Sequence, residues 1–219
     1  MTSDIFESGF KFPERVDILA PGPQGKMYWE KLGPWVIAVN KSIDIPIDPD
    51  VWVVADWWAV KTEWFPRVDK EYEGIRLFSE GLVSKRSDDA IHADYMYKLL
   101  DGRECTFPLG SAPYGEPIPG IIRPDGSVSA CAIEMAARLG AKEIALCGVD
   151  MFGNIYYDGY YSLSTDCTHN GIWSFVPFVN SLIKWVKAQG IDIYSLSPTA
   201  LDIEVRNDTD TPGRLFWDV

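Results

Sequence analysis

Residues 127–139 read SVSACAIEMAARL, Gly140 follows, and residues 143–147 read EIALC; this stretch decides the fold. Val128, Ala132, Met135, Ala136 and Leu139 recur at helical spacing and share one face. Glu134 and Arg138, four residues apart on another face, form an i,i+4 pair of opposite charge. Gly140 stands where a chain leaving a helix turns left-handed. EIALC is a short apolar run closed by Gly148-Val149-Asp150, the signature of a buried strand. An amphipathic helix feeding a buried strand is half of a parallel α/β unit.

The same alternation extends in both directions. Upstream lie VDILA at 16–20, WVIAV at 35–39, VWVVA at 51–55 and IRLF at 75–78; IDIYSL at 191–196 lies downstream. Helical segments separate several of these runs. Residues 27–32 make a short helix closed by Gly33-Pro34, and 57–64 a helical turn or helix stopped by Pro66. Residues 88–100 read as one helix that carries His92, with Asp88 and Asp89 at its positive end. Residues 172–189 form a long helix burying Phe175, Val179, Leu182 and Val186 and ending at Gly190. Residues 108–126, rich in Gly and Pro, form a loop. Together these predict an α/β fold, a Rossmann-like doubly wound, mainly parallel sheet with helices on both faces. The expected organisation is a single nucleotide-binding domain over 1–219 with an irregular insertion around 79–124.

Composition narrows the function classes. The chain has 219 residues, with 20 basic against 32 acidic, a net charge of −12. That balance argues against nucleic acid and against an anionic membrane surface as partners. No apolar run approaches the roughly 20 residues that span a bilayer, and no signal peptide is visible at the start, so the expected location is cytoplasmic. Cys105, Cys131, Cys147 and Cys167 lack metal-knuckle spacing and read as reduced thiols. Six of the nine tryptophans fall in the first third; Trp29, Trp57, Trp58 and Trp64 among them leave room for a homo-oligomer contact.

Topology predicts where function resides. Right-handed crossovers bring every strand's carboxyl end to one edge, and ligands bind in the crevice outside it. Pro21-Gly22-Pro23-Gln24-Gly25, Asn40, Asp56, the Gly126-Ser127-Val128-Ser129 turn, Asp150 and Ser197-Pro198 fall there. Gly22 with Pro23 reads as a tight turn or as a backbone approach to an anion. Ser127 reads as a helix cap, a phosphate or carboxylate ligand, or both, with Ser129 and Gly126 beside it. Asn40 suits a base or ribose, or simply a turn. Asp56 suits a ribose hydroxyl or a helix cap. Asp48-Pro49-Asp50 resembles a D-x-D metal–nucleotide motif but precedes a strand, so it reads as a surface turn. His169, in a loop after Tyr156, Tyr157, Tyr160 and Tyr161, reads as a polar helix-start residue or as a general base.

GSVSACAIEMAARLGAKEIALCGVDMFG resembles the central signature of the DUF115 and family-42 sialyltransferase-like group. ILAPGPQG is similar to the group's nucleotide loop, WVIAVN to its strand ending in a functional Asn, and IYSLSPTAL to the segment after its last long helix. The resemblance implies a glycosyltransferase that uses a CMP-linked nucleotide sugar as substrate, with no catalytic metal and no further cofactor. It implies nucleotide contacts at Gly22, Pro23, Asn40, Ser127 and Ser129, and His169 as general base on an acceptor hydroxyl. Phe152 stands at the group's first phosphate-holding tyrosine, and Tyr156 or Tyr157 near the second. The group also includes archaeal pterin diphosphokinases. An ATP-dependent diphosphokinase, with Asp56 and Asp150 on Mg²⁺, or a non-catalytic nucleotide-binding protein of the same fold are therefore alternatives.

Overall fold

Strict alternation of side chains along each strand sorts the core into two layers. The structure is a computed structural model and describes residues 3–55, 57–84, 91–100, 113–123, 127–151 and 175–206. The strands are β1 (Ser3–Asp4), β2 (Arg15–Leu19), β3 (Val36–Val39), β4 (Val51–Val54), β5 (Ile75–Ser79), β6 (Tyr95–Leu99), β7 (Ile121–Ile122), β8 (Glu143–Cys147) and β9 (Asp192–Ser195). The helices are α1 (Gly25–Tyr28), α2 (Trp64–Glu71), α3 (Glu80–Ser84), α4 (Val128–Arg138) and α5 (Val176–Ala188), with 3-10 turns at Trp29–Lys31, Asn40–Asp44 and Trp57–Lys61. The strands form one sheet in the order β1-β6-β5-β4-β3-β2-β8-β9, with β7 added on β6. Every described strand pair is parallel.

One face carries Val16, Ile18, Ile37, Val39, Val51, Val53, Ile144 and Leu146 into the main core with α4 and α5. The other face carries Trp52, Val54 and Phe78 against α2 and α3, and Leu19, Val36, Ala145 and Cys147 against the segment around Tyr28 and Trp29. Both faces are covered, which is why the central strands read as unbroken apolar runs. The expected doubly wound α/β sheet is therefore the observed one. Cys131 and Cys147 are buried free thiols.

Two local expectations are corrected. The helix expected over 88–100 is, where described, a segment without regular secondary structure followed by β6. Within β6, Tyr95, Tyr97 and Leu99 alternate with Met96 and Lys98, a period of two that suits a strand. Ile91, Ala93 and Tyr97 are buried, and His92 is exposed on the segment before β6. Pro66, expected to stop a helix, lies in the first turn of α2 instead. There its missing N–H costs nothing, because first-turn amides have no intrahelical acceptor. The loop-rich stretch ends in β7, latched to α4 by charge. Glu134, fully buried, accepts from Arg138 (2.8 Å) and from the Arg123 amide (3.1 Å). Arg138 also donates to the carbonyls of Ile121 (2.6 Å) and Ile118 (2.9 Å). Burial pushes the Glu134 carboxyl above its ordinary range, against these donors.

Removing one partner of such a buried pair leaves the other uncompensated. Arg138→Met is expected to destabilise the fold by about 3 kcal/mol in urea titrations, while Glu134→Gln with Arg138→Met costs less than the sum of the single changes. Small additive losses would show that solvent already screens the pair.

Candidate functional site

The chain enters the sheet's middle at β2 and runs outward through β3, β4, β5 and β6. It then returns to place β8 on the other side of β2. The order reverses between β2 and β8, and the crevice beyond their carboxyl ends is the switch point where such sheets bind ligands. The end of α4 meets the start of β2, since the Phe12 amide donates to the Leu139 carbonyl (3.0 Å). Its first turn therefore lies at the opposite, carboxyl edge of the sheet.

Two turns cross at the switch point at a distance that excludes side chains. The Ala20 amide donates to the Cys147 carbonyl (2.8 Å) and the Gly22 amide to the Gly148 carbonyl (3.0 Å). A Cβ on Gly22 would collide with the Gly148 carbonyl and lie 2.5 Å from Asp150 Oδ2. Gly148 has φ +71°, and a Cβ there would collide with the Ala20 carbonyl and lie 2.7 Å from Gly25 Cα. Glycine is required at both positions on steric grounds, and at Gly148 on conformational grounds as well.

Asp150 is the electrostatic centre of this crossing. The residue is 3 % exposed. Oδ2 accepts the Gln24 amide (2.8 Å), while Oδ1 is buried without a partner among the described residues. Burial pushes the carboxyl up to about 7, against the Gln24 hydrogen bond. Met151 follows with φ +56°, a backbone conformation that costs a non-glycine residue energy. Burial raises the neighbouring Cys147 thiol too, so it remains protonated and a poor nucleophile at neutral pH.

Asn40 ends β3 on the other flank of β2. It too holds a positive φ, +49°, and its Oδ1 is buried without a partner among the described residues. Its carbonyl accepts the Trp52 indole N–H (3.0 Å), which anchors the strained residue. Ser42, fully buried, locks the turn: its Oγ accepts the Val39 amide (2.8 Å) and lies 2.7 Å from the Leu19 carbonyl as donor. Sequence reasoning passed over Ser42, whose partner Leu19 lies on another strand. The loop after β9 closes the far side. Ser197 Oγ accepts the Gly148 amide (2.9 Å), and Thr199 Oγ1 donates to the Val149 carbonyl (2.7 Å).

Gly22, Pro23, Asn40, Ser127, Ser129 and Asp150 all lie at this carboxyl edge, and Gly22 and Asp150 are in direct contact. Ser127 caps α4, accepting the Ala130 amide at 3.4 Å, and Ser129 is buried in its first turn. Asp56, Gly126, Tyr156, Tyr157 and His169 lie outside the described residues. The Asp48-Pro49-Asp50 turn sits at the opposite edge, where Asp50 Oδ2 accepts the Val36 amide (2.7 Å) at the start of β3. Among the described residues no three His, Cys, Asp or Glu side chains gather as a metal site, and no helix is long and apolar enough to cross a membrane. Chemically, the edge offers buried oxygen acceptors at Asn40 and Asp150 and a helix start for an anion.

No family model matches the chain, and no curated protein matches it. Among solved structures it is similar to the MAf glycosyltransferase from Magnetospirillum magneticum AMB-1, with TM-score 0.54 and 11% identity over 97% of this chain. The chain spans 36% of that protein's length. It also aligns with the sialyltransferase CstII from Campylobacter jejuni, solved with CMP-3FNeuAc, at TM-score 0.45 and 15% identity, covering 88% of this chain and 86% of that one. At these identities the first likeness establishes the fold.

Two outcomes test the site's construction. Gly148→Ala is expected to destabilise the protein by at least about 3 kcal/mol in chemical denaturation, since backbone must move and a left-handed φ is forced; a loss under about 1 kcal/mol would mean that the turns are not in contact. Asp150 binds a proton in the folded state that the unfolded chain, with its ordinary value of 3.8, releases. Its stabilisation is thus full below about pH 4 and is lost as pH rises through about 7. The melting temperature of wild type minus that of Asp150→Asn is expected to fall between pH 5 and 8; a difference independent of pH would place Asp150 in solvent.

Proposed function

We propose that the chain is a glycosyltransferase domain that takes a nucleotide sugar, CMP-linked and resembling that of sialyltransferases, in the crevice between β2, β3 and β8. One observation carries this reading. Two buried oxygens without partners among the described residues, Asn40 Oδ1 and Asp150 Oδ1, flank β2 at the switch point. Unpaired buried acceptors are costly unless a ligand supplies donors. A nucleotide has them: an exocyclic amino group for Asn40 and ribose hydroxyls for Asp150. Its phosphate then falls to the Gly22-Pro23 turn and the start of α4 at Ser127 and Ser129, where backbone dipoles favour an anion.

In this reading His169 removes the acceptor's hydroxyl proton as the new glycosidic bond forms, a role worth about 10²–10⁴-fold in rate. Tyr156 and Tyr157 donate to the departing phosphate.

A thermal-shift series over CMP, CDP, UDP, GDP, ATP with magnesium, and CMP-sialic acid tests the proposal. A cytidine nucleotide at about 100 times its Kd adds about 2.7 kcal/mol, raising the melting temperature by several degrees. His169→Ala is expected to keep that shift and lose transfer. Flat curves at millimolar nucleotide contradict the reading, and a preference for ATP with magnesium assigns diphosphoryl transfer instead.

A further inference from the structure

Trp52 is fully buried within β4, and its indole N–H is the polar atom of that side chain. Aromatic rings from α2, its C-terminal end and β5 enclose the indole. Phe65 and Phe78 each lie 5.1 Å away between ring centroids, Tyr72 5.8 Å and Trp64 6.2 Å. Close packing on these sides leaves the ring little freedom to turn. Ala38, not Asn40, is level with Trp52 in the β3–β4 pair, so the indole leans along the strands toward the carboxyl edge. There its N–H donates to the Asn40 carbonyl at 3.0 Å.

Asn40 is thereby fixed from both ends. Before it, Ser42 Oγ accepts the Val39 amide and donates to the Leu19 carbonyl of β2. After its Cα, Trp52 holds the carbonyl. Between these points the residue keeps φ +49°, a conformation that asparagine tolerates better than most residues but that still costs energy. With both backbone ends held, the Cα–Cβ bond has one direction, and Oδ1 lies buried at the crevice without a partner among the described residues. We propose that Trp52 is a positioning residue for base selection: by holding the Asn40 carbonyl it keeps Oδ1 where an amino-bearing pyrimidine is accepted and its keto counterpart refused. Base selection rests on the nucleotide reading of the crevice; the positioning of Asn40 does not. Cytosine presents an exocyclic amino donor where uracil presents a carbonyl acceptor. Uracil would set two acceptors against each other with no proton between them.

Calorimetric titration of the full chain with CMP and with UMP, alongside the Asn40 Cα chemical shift of the ligand-free protein, tests this. Trp52→Phe keeps an aromatic ring in the cluster and removes the donor. It is expected to weaken CMP binding about tenfold, the worth of one buried hydrogen bond, and to leave UMP within about twofold. It is also expected to move the Asn40 shift away from that of left-handed backbone. Leu82→Ala, which opens a cavity in the same apolar layer, is expected to lower the melting temperature while both affinities and the Asn40 shift stay unchanged. In an Asn40→Gly background glycine takes a positive φ unaided and no Oδ1 remains, so Trp52→Phe is expected to change CMP affinity by less than about twofold. An undiminished CMP preference in Trp52→Phe, an equal loss in Leu82→Ala, or a loss of about tenfold that persists without the Asn40 side chain would each overturn the proposal. Wild type that binds neither nucleotide would remove the nucleotide reading and base selection with it. A moved Asn40 shift in Trp52→Phe would then uphold the positioning, and an unmoved one would remove that too.

Discussion

The carboxyl edge of this sheet is organised by one steric constraint, the approach of the turn after β2 to the turn after β8. Gly22, Gly25 and Gly148 meet there with no room for a Cβ. The crossing brings Asp150 onto the Gln24 amide and leaves its second oxygen buried without a partner among the described residues. A parallel sheet that reverses direction at β2 must open a crevice at this point. The glycines determine how narrow that crevice is.

Around the crossing the chain carries local energy costs of the kind that gather at functional sites. Asn40 and Met151 are the two non-glycine residues with positive φ among those described, and they flank β2 and β8 at the same edge. The Trp52 indole donating to Asn40, the Gly148 amide donating to Ser197 Oγ and Thr199 Oγ1 donating to the Val149 carbonyl hold these conformations in place. Opposite this edge, the molecule spends its polar side chains on structure. Asp17 is buried, paired with Arg15 at 2.9 Å, and accepts the Gly33 amide; Asp50 anchors β3. The two ends of the sheet thus differ: satisfied carboxylates at the amino edge, unsatisfied acceptors at the carboxyl edge.

The central fold was legible because burial on both faces writes each strand as a continuous apolar run; β8 matched residue for residue. Two-residue strands such as β1 and β7 carry no period to read. β6 reads as helix because its acidic approach and mixed polarity resemble a capped helix, and because the buried face changes along it: Ile91 and Ala93 pack beside α2 and α3, whereas Tyr95, Tyr97 and Leu99 pack into the main core. At the site, strand-end residues were legible: topology alone brought Gly22, Asn40 and Asp150 to one edge. Ser42 and Gly148 were not singled out, because their roles depend on which strand lies next door. Gly148 in particular is constrained by the Ala20 carbonyl, distant in sequence and adjacent only once β2 and β8 pair.

The central claim is that a nucleotide fills the crevice at the β2/β8 switch point. Hydrogen–deuterium exchange of the full chain with and without saturating CMP measures this directly, since amides that a ligand covers exchange more slowly. The account predicts slowed exchange concentrated in residues 20–25, 40–44 and 148–151 and in the first turn of α4, with 15–17 and 50–52 at the amino edge unchanged. Slowing confined to the amino edge, or spread evenly over the sheet, would contradict it.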